Sequence, residues 1–198
     1  MRLRSGLGTA LFWYDELMRF LEIEICGLAR KFPVVSMGPK LQVASISLLG
    51  DVELVEAVSL ELVQRIAKWN PEVLVGPETK VVPLLQKISE IMHLSRYVVC
   101  RKGIAAYMID PLVVEPREMR TSRVKAMAID GRDGQYLRGK KTVIIDDVVF
   151  TGGSFSMVRQ LLDKAGADYV GMAAVFKQGD KFIESYEYLQ ELPVFATV

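Results

Sequence analysis

The chain has 198 residues, about half of them (51%) hydrophobic, and its basic and acidic side chains nearly cancel to a formal charge of +1. That length suits one α/β domain with a full core, and a mean hydropathy of +0.23 excludes a disordered chain. The even charge gives no general reason to expect binding along nucleic acid or at a membrane surface, so any anion this protein holds must be held locally.

In chain order, the first twenty residues imitate a secretory signal, with two arginines before a short apolar run. Asp15 and Glu16 interrupt that run, and no small-residue cleavage site follows. Leu11, Tyr14, Leu17, Met18, Leu21, Ile25 and Leu28 fall at helical spacing, which predicts a helix over about 9–31. Residues 1–33 are accordingly expected to form a helical segment apart from a main domain over 34–198. No apolar stretch is long enough to span a bilayer. LQVASI at 41–46 reads as a strand. Asp51 is placed to cap a helix running to about Lys68, with Leu54, Val55, Val58, Leu62 and Ile66 on one face and Asn70-Pro71 as its stop. VLVG at 73–76 is a short buried strand, followed by a helix to about His93 and by the strand YVVC at 97–100.

VKAMAI at 124–129 and KTVIID at 141–146 are two further strands, separated by an expected turn, DGRDGQ. A helix over 154–165 stops at Gly166. The strand VGMAAVF at 170–176, a last helix near 180–190 and a terminal strand VFATV complete the series. Strands alternating with helices predict an α/β fold with a mostly parallel central sheet flanked by helices. Ligands in such sheets sit beyond the carboxyl ends of the strands, which gathers GPETK (76–80), CRKG (100–103) and DDVVFTGGS (146–154) on one rim. Cys26 and Cys100 lie far apart without metal-ligand spacing, which predicts reduced, buried thiols and a cytoplasmic protein. His93, the single histidine, reads as a helix-end residue, and Trp13 and Trp69 read as packing anchors.

VIIDDVVFTGGSF at 143–155 carries the chemistry. Thr151, Gly152, Gly153 and Ser154 lead into a helix N-terminus, where unpaired N–H groups and the positive dipole end suit a phosphate. Asp146 and Asp147 can accept hydrogen bonds from vicinal hydroxyls or hold a hydrated Mg2+. A phosphate cradle beside a diol-binding acidic pair describes a ribose 5-phosphate; the blander reading is an acidic pair that merely caps the helix. Neither a Walker loop nor a GxGxxG fingerprint is present.

The same run resembles the phosphoribosyl pyrophosphate signature of the type I phosphoribosyltransferases. GPETK resembles that family's short pyrophosphate loop, and Arg101-Lys102 resembles the basic pair before its lid. The similarity runs from about residue 35 to the C-terminus and is nearest to the purine branch. It implies a Rossmann-like fold with a flexible lid and a small hood, and transfer of ribose 5-phosphate from phosphoribosyl pyrophosphate to a purine with release of pyrophosphate. By motif position it implies that Thr151 to Ser154 bind the 5-phosphate and that Asp146 and Asp147 engage the ribose hydroxyls, which makes the pair the candidate catalytic residues and, with Mg2+ as the expected cofactor, the candidate metal ligands. Glu78, Thr79, Lys80, Arg101 and Lys102 would meet the pyrophosphate. Phe150, Phe176 and Lys177 would meet the base. Residues 103–123, long and without a clear strand, would be the lid, with Arg117, Arg120 and Arg123 lending charge; an ordinary solvated loop is the alternative.

Departures bear on the base. Phe150 stands where hypoxanthine-guanine enzymes carry an aspartate, and Lys80 where adenine enzymes usually carry arginine. For the lid glutamate of adenine enzymes only Glu115 and Glu118 are candidates. Lys177 suits an exocyclic oxygen, whereas QGDKFIESYEYL resembles an adenine-type ending, so adenine is placed slightly ahead of xanthine and hypoxanthine. The competing readings are a non-catalytic regulator that senses phosphoribosyl pyrophosphate or a nucleotide, and an orotate or other pyrimidine enzyme. A homodimer is expected, with no nucleic-acid or membrane partner.

Overall fold

The computed structural model describes residues 19–116 and 126–196, which fall into two compact units. The first comprises residues 19–46 with 193–196. Its strands β1 (Phe20–Ile25), β2 (Leu28–Ser36), β3 (Leu41–Ala44) and β11 (Val194–Ala196) form an antiparallel sheet in the order β1-β2-β3-β11. The helix expected over 9–31 is therefore corrected over its described part to a β-hairpin; residues 9–18 lie outside the described residues. Leu21, Ile25 and Leu28 do fit helical spacing, but Leu21, Ile23 and Ile25 alternate with Glu22 and Glu24, which is the period of a strand. The two-residue turn decides between them. Cys26 and Gly27 both have positive φ, at 50° and 76°, as the tight turn matching strand twist requires. Glu22 then stands opposite Lys31 and pairs with it at 2.7 Å. Cys26 is exposed at the tip, against the buried thiol expected.

The second unit, residues 47–192, holds a five-stranded parallel sheet made of β4 (Val73–Pro77), β5 (Tyr97–Cys100), β8 (Lys141–Val149), β9 (Asp168–Gln178) and β10 (Glu187–Leu192). Its order is β10-β9-β8-β4-β5. Among the described residues four α-helices accompany it: α1 (Val52–Ile66), α2 (Val82–Ile91), α3 (Gly131–Leu137) and α4 (Gly153–Ala165). Ile144, Met172 and Ala174 share one cluster with Phe155, Val158 and Leu161 of α4. The alternate residues Val143, Ile145, Ala173 and Val175 face the other way and are equally buried, so the sheet is covered on both faces, as parallel sheets are. Cys100 is buried in β5, and burial pushes its thiol pKa up, away from reactivity.

Asp51 caps α1 as expected, accepting the Leu54 N–H at 3.1 Å, and Gly166 ends α4 in the left-handed region. Trp69 packs against Gly171. Three expectations are corrected. DGRDGQ is not a turn but the start of α3, because Asp130 accepts the Arg132 N–H at 2.9 Å and so caps a helix. The helix expected near 180–190 is absent; residues 179–186 carry neither helix nor strand, and residues 187–192 are β10, paired with β9. The long segment after β5 contains a strand, β6 (Leu112–Val114), paired antiparallel with β7 (Met127–Ile129). Arg117, Glu118, Arg120 and Arg123 lie outside the described residues. Among the described residues no helix is long and apolar enough to cross a membrane.

Candidate active site

β4 leads out to β5 on one side and β8 leads through β9 to β10 on the other, so the chain reverses direction across the sheet between β4 and β8. Loops leaving the carboxyl ends on either side of such a point leave a crevice for a ligand. Here those loops are 78–81 after β4 and 150–152 after β8.

The loop after β8 is shaped for an anion. Gly152 sits at φ 72°, ψ 5°, directly before the first residue of α4, and no side chain caps that helix. The Gly153 N–H donates weakly to Thr151 Oγ1 at 3.4 Å. Helix-start N–H groups without a side-chain cap favour a phosphate. Asp146, Val148 and residues 149–155 line a cavity of about 130 Å³ at this loop, so the acidic residue and the cradle share one concavity.

Asp146 and Asp147 are only 6% and 9% exposed. Asp146 Oδ1 accepts the Asp147 N–H at 2.9 Å, and Asp147 Oδ1 accepts the Val148 N–H at 2.9 Å. Burial, then the neighbouring Asp147 carboxylate, push the Asp146 pKa well above the usual carboxylate range, with Lys102 acting the other way.

At β4, the Glu78 N–H donates to the Cys100 carbonyl at 2.8 Å, which sets Glu78 beside the 101–102 turn. Its carboxylate takes the Arg101 Nε at 2.8 Å through one oxygen and the Lys102 N–H at 2.6 Å through the other. The expected pyrophosphate residues Arg101 and Lys102 are thus brought together with Glu78, but the Glu78 side chain is spent on positioning them. Thr79 and Lys80 are exposed on the same loop.

Of the three expected base residues, Phe150 is half-buried at the cavity, with Lys181 Nζ 5.0 Å from its ring centroid. Phe176 is fully buried (0% exposed) within the sheet and is not available to stack on a base, which corrects that expectation. Strand position does not reveal which alternate residues of β9 face a covering layer. Lys177 Nζ is paired with Asp180 at 2.9 Å and Glu191 at 3.0 Å, and these hydrogen bonds raise its pKa.

Residues 50–195 match the model of the phosphoribosyl transferase domain. The chain belongs to the phosphoribosyltransferase family. It is 28% identical over 156 residues to an adenine phosphoribosyltransferase of Desulfitobacterium hafniense, covering 77% of this chain and 83% of that one. It is 30% identical over 91 residues to an orotate phosphoribosyltransferase of Staphylococcus saprophyticus, where the match spans 46% of this chain and 45% of the relative. Among solved structures, an adenine phosphoribosyltransferase from Rhodothermus marinus superposes with a TM-score of 0.64 at 18% identity, covering 93% of this chain and 99% of that one. At that identity the likeness is one of fold, and the fold is that of the type I phosphoribosyltransferases.

Two residues of this phosphoribosyltransferase that meet the loop after β8 are not among the site residues expected from sequence: Lys181 and Phe182. The Phe182 ring lies so close to Gly152 that a Cβ added there would meet it at 1.9 Å. Their only signal is an aromatic and a lysine directly after Gly179-Asp180, a pair that sequence spacing assigns equally well to a helix.

Proposed function

We propose that this phosphoribosyltransferase transfers ribose 5-phosphate from phosphoribosyl pyrophosphate to a purine, with adenine preferred over xanthine and hypoxanthine. The observation that carries the reading is the single cavity in which Asp146 opens beside the Thr151–Ser154 helix start. A sugar phosphate held by the cradle presents its vicinal hydroxyls to the acidic pair. The anomeric carbon passes through a cation-like state, so the chain's task is to fix the sugar, neutralise the departing pyrophosphate and exclude water. Arg101 and Lys102, oriented by Glu78, meet the leaving group. The match to adenine relatives supports the choice of base, and so does Lys177. A lysine already holding two carboxylates is a poor donor to an exocyclic oxygen.

Mg2+ takes few protein carboxylates and keeps oxygen ligands from water and substrate phosphates. Among the described residues no three His, Cys, Asp or Glu side chains gather, and Asp146 with Asp147 is a donor pair of the kind such an ion uses together with substrate oxygens. When bound, the ion would neutralise charge developing on the pyrophosphate.

The reading is tested by nucleotide formation from phosphoribosyl pyrophosphate and Mg2+ with adenine, hypoxanthine, guanine, xanthine, uracil and orotate supplied separately. Adenine is expected to give nucleotide fastest. Product from orotate alone would move the chain to the pyrimidine enzymes, a second reading favoured by the 30% identity to the orotate relative. Glu78 gives a further expectation. Glu78→Ala removes the acceptor of the Lys102 N–H and is expected to raise KM for phosphoribosyl pyrophosphate about tenfold, the scale of one hydrogen bond to a charged group. Glu78→Gln, which keeps that acceptor, is expected to have a smaller effect. Equal KM values in steady-state assays of all three proteins would remove the positioning role.

A further inference from the structure

We propose that residues 180–184 form a strap across the phosphate loop, in which Phe182 is a positioning residue that holds Gly152 in its anion-binding conformation and Lys181 supplies the positive charge for the bound phosphate. The inference rests on the reading that residues 151–154 receive the sugar phosphate, and it adds two residues to that subsite.

The strap belongs to a segment without helix or strand, so side-chain contacts must fix its place. It is fastened at three points along the loop and the helix after it. Before the loop's turn, Lys181 Nζ sits 5.0 Å from the centroid of Phe150. At the turn, Phe182 covers Gly152, whose φ of 72° is a conformation that residues with a side chain rarely adopt. Beyond it, Glu184 Oε2 lies 3.7 Å from Arg159 Nη1 on α4. Ile183, between the last two, is 93% exposed and takes no part.

Phe182 is itself held. Its ring meets Phe155, fully buried on the first turn of α4, edge-on at 5.9 Å, and meets Tyr186 at 5.6 Å; Tyr186 in turn meets Phe155 at 5.8 Å. Such a three-ring cluster prefers these tilted and edge-on geometries. It ties the backbone of Gly152 to the side chain of Phe155 three residues on, so the helix-start N–H groups are aimed before the ligand arrives. Preorganised donors lose less on binding than donors that must be ordered.

Phe150 to Ser154 contain no basic residue, and the helix dipole contributes only about half a unit charge, against the roughly two negative charges of a phosphate monoester at neutral pH. Lys181 is exposed, and its ammonium is steered to this side by the face of the Phe150 ring. The side chain pivots from that ring toward the phosphate.

The test is calorimetric binding of ribose 5-phosphate to the full chain, with KM measured for phosphoribosyl pyrophosphate and for the base. Lys181→Gln is expected to weaken ribose 5-phosphate about tenfold and to reduce the salt dependence of binding, with KM for the base unchanged and Lys181→Arg restoring most of the loss. Phe182→Ala is expected to weaken the same ligand to a similar degree, and Phe182→Leu, which keeps an apolar cover, to weaken it less. If Lys181→Gln and Phe182→Leu bind ribose 5-phosphate as wild type does, or if the loss falls on KM for the base, the strap is overturned. Wild-type protein that fails to bind ribose 5-phosphate would overturn the phosphate-site reading itself, an outcome distinct from variants that match a wild type that binds.

Discussion

Asp146→Asn is expected to lower turnover by roughly 100-fold, the cost of losing correct placement of a reacting group, and at the same time to raise the melting temperature measured at neutral pH. The two effects have one cause. Asp146 is buried beside Asp147, and burial and that neighbour hold its pKa above the usual carboxylate range. A carboxyl group whose pKa is raised in the folded state favours folding below its unfolded pKa, and that contribution is lost as pH rises through the folded value. At neutral pH the wild-type protein therefore bears the cost of the buried pair. Asparagine keeps an oxygen that can accept the Asp147 N–H, now at 2.9 Å, and carries no charge. Thermal melts of both proteins from pH 4 to 8 should accordingly diverge as pH rises, with the variant the more stable at the upper end. Melts that remain parallel, or a variant that loses stability at pH 7, would show that Asp146 is not under this strain.

Gly152→Ala is expected to damage both stability and phosphate binding. The left-handed conformation alone costs a residue with a side chain about 1–2 kcal/mol, which for a chain of this size corresponds to a fall of several degrees in melting temperature. The new Cβ would also lie 1.9 Å from a Phe182 ring carbon, so the ring must leave the Phe155 and Tyr186 cluster or the loop must move. Either displacement misplaces the helix-start donors, and kcat/KM for phosphoribosyl pyrophosphate is expected to fall by about 100-fold. The double variant Gly152→Ala, Phe182→Ala removes the collision and should recover part of the stability lost. A single variant with unchanged melting temperature and kcat/KM would contradict the packing described at this loop.

The parts of the fold legible in the sequence around the candidate site are those whose elements adjoin in the chain. VIIDDVVFTGGSF contains its strand, its acidic pair and its helix start in one run, and β8 and α4 place them accordingly. The errors arise where two periods fit the same residues or where a partner is distant. Leu21, Ile25 and Leu28 satisfy a helix, while Leu21, Ile23 and Ile25 satisfy the hairpin that forms; only the conformation of Cys26-Gly27 separates them. Lys177 is legible from sequence as a candidate base residue, but its pairing with Glu191 depends on β10, which the sequence presents as part of a helix. Phe176, inside β9, is fully buried whereas Phe150, in the loop after β8, is half-buried, a difference set by the covering layer that the sequence does not show. The strap is the extreme case, since Phe182 matters through a contact with a glycine thirty positions earlier.

The most direct test of the account is to measure pyrophosphate and nucleotide together after adding phosphoribosyl pyrophosphate, Mg2+ and adenine to wild-type protein and to the Asp146→Asn, Asp147→Asn variant. Wild type is expected to release the two products in equal amounts and the variant to release neither at a comparable rate. Wild-type protein that is stabilised against heat by phosphoribosyl pyrophosphate, yet forms neither product with adenine or any other purine, would contradict it and identify a binding protein built on the same fold.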